Sequence, residues 1–278
     1  MKNRRPFRLV LALSALASLA ALCAPIAGAA TKSKCLVLGK HGSFATLQAA
    51  QDAASSGDTL VVAGTCTGST SLSKSLTIRG LGNATLNGSG AGAVVTIPRF
   101  QGLTVTIKGL TITGGTGGVY GGIFNGGTLT LDDSLVSGNS GQNGAGIFNA
   151  GTLTLDRSSV LGNTASGDGG GIDNGGSLTL NHSLVANNSG VHGGGIFNFG
   201  GSVTANGSIV RRNSATDGGG IYNAGSLTLT GSLVRANTAS NPGGGIHNAT
   251  CSIGFAYTAT GSVVTGNGPD DVFADAPG

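Results

Sequence analysis

A unit of 24 to 25 residues recurs between Gly121 and Asn248, each copy reading as a glycine-rich knuckle, an isoleucine, a variable residue and an asparagine, then an alternating strand that runs into Ser-x-Val. The copies begin Gly121-Gly-Ile-Phe-Asn125, Gly144-Ala-Gly-Ile-Phe-Asn149, Gly169-Gly-Gly-Ile-Asp-Asn174, Gly193-Gly-Gly-Ile-Phe-Asn198, Gly218-Gly-Gly-Ile-Tyr-Asn223 and Gly243-Gly-Gly-Ile-His-Asn248. A unit this short cannot bury its own apolar face, so the units must stack, and a period of this length marks a solenoid.

Alternation along the strands predicts which residues face inward. Leu129, Leu153, Leu178, Val203 and Leu227 form one expected column, and Leu131, Leu155, Leu180, Ala205 and Leu229 a second. Val136, Val160, Val185, Val210, Val234 and Val264 form a third, and Ile123 with its five counterparts a fourth. Two asparagine columns, from Asn125 to Asn248 and from Asn139 to Asn267, are expected at corners, where Asn tolerates left-handed backbone and stacked amides bond from turn to turn.

Upstream, Ser43 to Ala54 reads as one helix with Ser43 as its N-cap, covering the open end of the stack. Irregular coils follow through Leu76-Thr-Ile78, Val94-Val-Thr-Ile97 and Leu103-Thr-Val-Thr-Ile107. The last repeat carries an insertion around Thr250 to Gly261, and Pro269 to Pro277 is an atypical end.

Residues 1–30 read as a secretory signal: Lys2, Arg4, Arg5 and Arg8 precede an apolar run from Leu9 to Leu22, and small residues around Ala27 to Ala30 supply a cleavage pattern. The run is shorter than a membrane span, so none is expected in the processed chain. Arg4-Arg5-Pro-Phe7 leaves general and twin-arginine export both open, and Leu22 before Cys23 argues against a lipid anchor. Fifteen basic residues less those four leave eleven, against eleven acidic residues, all Asp. A neutral, charge-poor chain offers no phosphate-binding stripe in its composition, which argues against nucleic acid as a partner. Export permits a disulfide, and Cys35 with Cys66 closes a loop of about thirty residues, leaving Cys251 alone as a small buried hydrophobe.

The helix Leu47-Gln-Ala-Ala-Gln-Asp-Ala-Ala54, Gly57-Asp-Thr-Leu60, Leu76-Thr-Ile-Arg-Gly80 and above all the Gly-Gly-Gly-Ile-x-Asn coils resemble the right-handed parallel β-helix proteins of the pectin-lyase-like superfamily. The coils also resemble repeats of bacterial polymorphic outer-membrane and adhesin-like proteins. The resemblance spans Phe44 to Asn267. It implies an all-β, single-stranded right-handed β-helix with an N-terminal capping helix over residues 31–278: a cap and irregular coils over 31–115, regular coils over 116–267, and a tail over 268–278. It does not imply one activity, because that superfamily holds polysaccharide lyases, glycoside hydrolases and proteins without a known reaction.

Three outward sets could carry function. Phe124, Phe148, Asp173, Phe197, Tyr222 and His247 form an aromatic column that either shields itself by stacking or offers a platform to sugar rings. Thr128-x-Thr130, Thr152-x-Thr154 and their Ser/Thr counterparts read either as a solvated β-face or as a flat array resembling ice-binding solenoids. Asp132, Asp133, Asp156, Arg157, Asn181 and His182 form the densest polar patch. There Asp132 and Asp156 could share Ca²⁺, and Arg157 or His182 could act on a uronic acid, or the patch is only surface ion pairs. No other cofactor is implied. His41, His192 and His247 are isolated in sequence and read as loop residues. The expected function is a secreted or surface-attached bacterial binding module contacting polysaccharide, without catalysis; the alternatives are a lyase or hydrolase at the Asp132 to His182 patch and, third, an ice-binding protein.

Overall fold

The computed structural model describes residues 35–90, 92–249 and 257–274. The signal segment, Cys251 and most of the insertion after Ala249 lie outside them. The chain is a parallel β-solenoid of about eight turns. A representative turn holds strands Ile147–Asn149, Thr152–Asp156 and Ser159–Leu161, with a short extra strand at Thr164–Ala165. Each pairs in parallel with its counterpart one turn on, as Leu153 with Leu178 and Val160 with Val185.

The four inward columns form as the alternation dictates. Ile147, Leu153, Leu155 and Val160 are fully buried, while Thr152 is exposed and Thr154 half-buried. The valine column weakens only at Val264, which is half-exposed on the last turn. Val272 extends the isoleucine column by pairing with Ile246, so the tail adds a further strand to the stack.

The asparagine columns are ladders of amides bonded from turn to turn, as expected, although the asparagines do not themselves take the left-handed backbone. Asn139, Asn163, Asn188, Asn213 and Asn237 are buried, and their side-chain amides bond in series, as Asn163 Nδ2 to Asn188 Oδ1 at 3.0 Å. The left-handed backbone falls one residue earlier, at Gly138, Gly162, Asn187, Arg212, Ala236 and Gly266. A third ladder was not visible in sequence: Ser134, Ser158, Ser183, Ser208 and Ser232 are buried, and each accepts through Oγ from a backbone N–H of the preceding turn.

The N-terminal segment differs from expectation. Gly42–Phe44 is a strand, and the helix is the shorter Leu47–Ala53, capped by Thr46, whose hydroxyl accepts from Ala49 N–H at 3.1 Å, rather than by Ser43. The strand Leu36–Gly39 runs antiparallel both to Gly42–Phe44 and to Thr59–Thr67, and Cys35 is bonded to Cys66 beside it, with Cα atoms 4.4 Å apart.

Candidate functional site

The aromatic column forms in register, Phe124, Phe148, Asp173, Phe197, Tyr222 and His247 lying one above another and continuing to Phe273. It is half-buried rather than free. Phe124 and Phe148 stack nearly parallel at 5.8 Å, with Tyr120 packed 4.8 and 4.3 Å from them. Phe197 to Tyr222 and Tyr222 to His247 also pack, at 5.3 and 4.8 Å, but with their planes tilted by 33° and 51°. Rings stacked at rung spacing turn their faces toward each other, leaving mainly edges for a ligand.

Two aromatics beside this column are exposed. Phe100 is 98% exposed on a left-handed residue (φ 64°), and Phe199 is 65% exposed and stacked 6.0 Å from Phe197. Both stand at the corner between the first and second strands of a turn. A pocket of about 230 Å³ there is lined by Arg99, Phe100, Gly126, Phe148, Ala150 and Gly175, and Arg99 lies 5.7 Å over the Phe124 ring. It shares Gly175 with a shallower trough of about 500 Å³, walled by Ser177, Ser202 and Ser226 and floored by glycines as far as Gly225. The two depressions meet at Gly175 and follow one another from turn to turn. Part of this lining must be glycine: a Cβ on Gly176 would meet Gly151 O at 2.1 Å, and one on Gly225 would meet Gly201 O at 2.3 Å. Beneath it, Asn125 and Asn149 hold the corner shut through bonds to Thr152 O and Ser177 O.

The predicted polar patch comes together in part. Arg157 bonds Asp132, Asp133 and Asp156 at once, and Lys108 takes the other oxygen of Asp132. The hydrogen bond from Lys108 holds the Asp132 carboxyl below its usual range. Two cations thus occupy both oxygens of Asp132, and Arg157 takes one oxygen of Asp156. His182 is exposed and turns toward Gly207 on the next turn, away from the carboxylates' bonds. Asp133, Arg157 and His182 all have left-handed backbone, at a corner column that Gly109, Gly207, Gly231 and Gly261 complete.

A second polar cluster was missed in sequence. His192 Nδ1 lies 2.7 Å from Asp168, and its Nε2 lies 3.4 Å from Asp217 on the other side. Asp173 is 8% exposed in the same region. Burial, reinforced by the Asp168 charge, pushes it up to about 7. A buried carboxylic acid that holds its proton toward neutral pH beside a second acidic group is a pairing from which acid–base chemistry can be built. The signal lay in the period: Asn143, Asp168, His192 and Asp217 each precede a column residue by five positions.

The threonine face is longer than the regular repeats suggest. Thr59, Thr77, Thr106, Thr130, Thr154, Thr179, Thr204, Thr228 and Thr258 are in register on successive turns. Among the described residues no group of His, Cys, Asp and Glu is arranged to hold a metal ion. No protein family, curated protein or solved structure matches this chain.

Proposed function

We propose that this chain is an exported, non-catalytic β-solenoid that lays a linear glycan along the groove from Arg99 to Ser226, in the manner of an adhesin-like binding module. The carrying observation is the groove itself, continuous through Gly175 and flanked by the two exposed rings Phe100 and Phe199. Flat rings cover the apolar faces of sugars, and the serine hydroxyls and glycine backbone offer bonds to sugar hydroxyls. The Cys35–Cys66 bond supports export, since disulfides persist in oxidising compartments. The coil motifs support kinship with the pectin-lyase-like and adhesin-like β-helix proteins.

Retention on a panel of immobilised neutral and acidic polysaccharides tests this reading. Phe100→Ala with Phe199→Ala should weaken retention at least about tenfold, on the scale of two lost ring contacts. Absence of retention on every polymer overturns it.

A second reading, a polysaccharide hydrolase or lyase, draws support from Asp173 and Asp168 rather than from the Asp132 patch. It requires turnover that Asp173→Asn abolishes. The threonine column sustains ice binding as a third reading, which requires ice shaping that Thr154→Tyr removes.

A further inference from the structure

The outer face of the third strand of each turn changes character along the stack. Leu184, Ile209, Leu233 and Val263 lie in register on it, and so do Ala186, Arg211, Arg235 and Thr265. Val185, Val210 and Val234 between them point into the core. Turns nearer the N-terminus place Ser137 and Leu161 where the arginines stand. Ile209 and Val263 are 37% and 52% exposed. Arg212, next in the chain to Arg211, is exposed on a left-handed residue (φ 55°).

Three of the eleven basic residues beyond residue 30 thus converge on two adjacent turns. Among the described residues, none of the three has a carboxylate within salt-bridge distance, whereas Lys108 and Arg157 are paired. Like charges directly opposite on neighbouring strands repel, so the Arg211–Arg235 pair costs stability until an anion lies between them. The aliphatic row beside them adds what a soluble polyanion would not use. A basic rim along an exposed apolar row is the pattern of a surface that rests in the headgroup layer of an anionic bilayer.

We infer that this face docks peripherally on an anionic lipid surface, the arginines on lipid phosphates and the aliphatic row against the acyl boundary. No helix among the described residues is long and apolar enough to cross a membrane. The docking face is independent of the glycan groove, which lies at the corner between the first and second strands.

Flotation of the purified chain with lipid vesicles tests the inference. It should bind vesicles of phosphatidylcholine with phosphatidylglycerol and not those of phosphatidylcholine alone. Arg211→Gln, Arg212→Gln and Arg235→Gln should each weaken binding about fivefold. Ile209→Ser with Val263→Ser should weaken binding further, with circular dichroism showing the β signal unchanged in every variant. Equal binding to both vesicle types, or none to the anionic ones, overturns the inference. So does dextran sulfate binding as tightly as vesicles while the Ile209/Val263 variant binds normally, because that result makes the face a polyanion site.

Discussion

Asn149 donates its side-chain amide to Asn174 Oδ1 at 2.7 Å, though 25 residues separate them in the chain. Both side chains are fully buried, and Asn125 in turn donates to Asn149 at 2.8 Å. Removing one amide therefore orphans a donor above and an acceptor below, each costing about 1–3 kcal/mol in a dry interior. Asn149→Ala should destabilise by about 2–4 kcal/mol in urea unfolding, while Asn181→Ala, half-buried at the surface, should cost under about 1 kcal/mol. Equal effects would show the ladder to be incidental.

Much of this was legible in the residues. Period and alternation placed Leu153, Leu155 and Val160 inside, because one register satisfies every turn at once and a slip of one residue would reverse every face. The N-terminal turn was not legible. Leu36–Gly39 pairs antiparallel with distant Thr59–Thr67, a contact no local pattern encodes, and Ser43 and Phe44, expected at the start of the helix, lie in that sheet instead. Site residues split on the same line. Arg157 with Asp132 and Asp156 could be anticipated from adjacent copies, whereas His192 looked isolated because its partners Asp168 and Asp217 sit one turn away on either side.

The glycine floor of the groove makes a second prediction. Gly176→Ala would place a methyl 2.1 Å from Gly151 O, which backbone cannot yield without opening the corner, so a loss of about 3 kcal/mol or failure to fold is expected. Gly162→Ala meets no atom within 4 Å but sits at φ 61°, so only the left-handed penalty of about 1 kcal/mol applies. Matched melting curves of the two variants separate steric exclusion from backbone preference.

Reduction of the Cys35–Cys66 bond should loosen one end of the solenoid rather than the whole. The bond closes a 31-residue separation, for which loop entropy suggests about 3–4 kcal/mol. Because turns contact only their neighbours, hydrogen exchange should rise in Leu36–Thr67 and leave Ile147–Asn206 protected. Uniform loss of protection along the stack would show a single cooperative unit instead.

Asp173 sets the pH dependence. Its carboxyl rises from an ordinary 3.8 to about 7 in the folded chain, chiefly through burial. Between those values the folded state holds a proton that the unfolded chain releases. Its contribution is therefore complete below about pH 4 and is lost as pH rises through 7, a swing of about 4 kcal/mol as an upper bound. Asp132, held low by Lys108, works in the opposite sense but only below pH 3.8, so the two windows do not overlap. Urea midpoints should fall between pH 5 and pH 8, and Asp173→Asn should flatten that slope while raising stability at pH 8. A flat profile in the unaltered chain, or a slope that survives Asp173→Asn, would place the titrating group elsewhere. Asp173→Phe extends the test to geometry: by joining Phe148 to Phe197 it should complete the stack and stabilise the fold at high pH, at the expense of whatever the acid does.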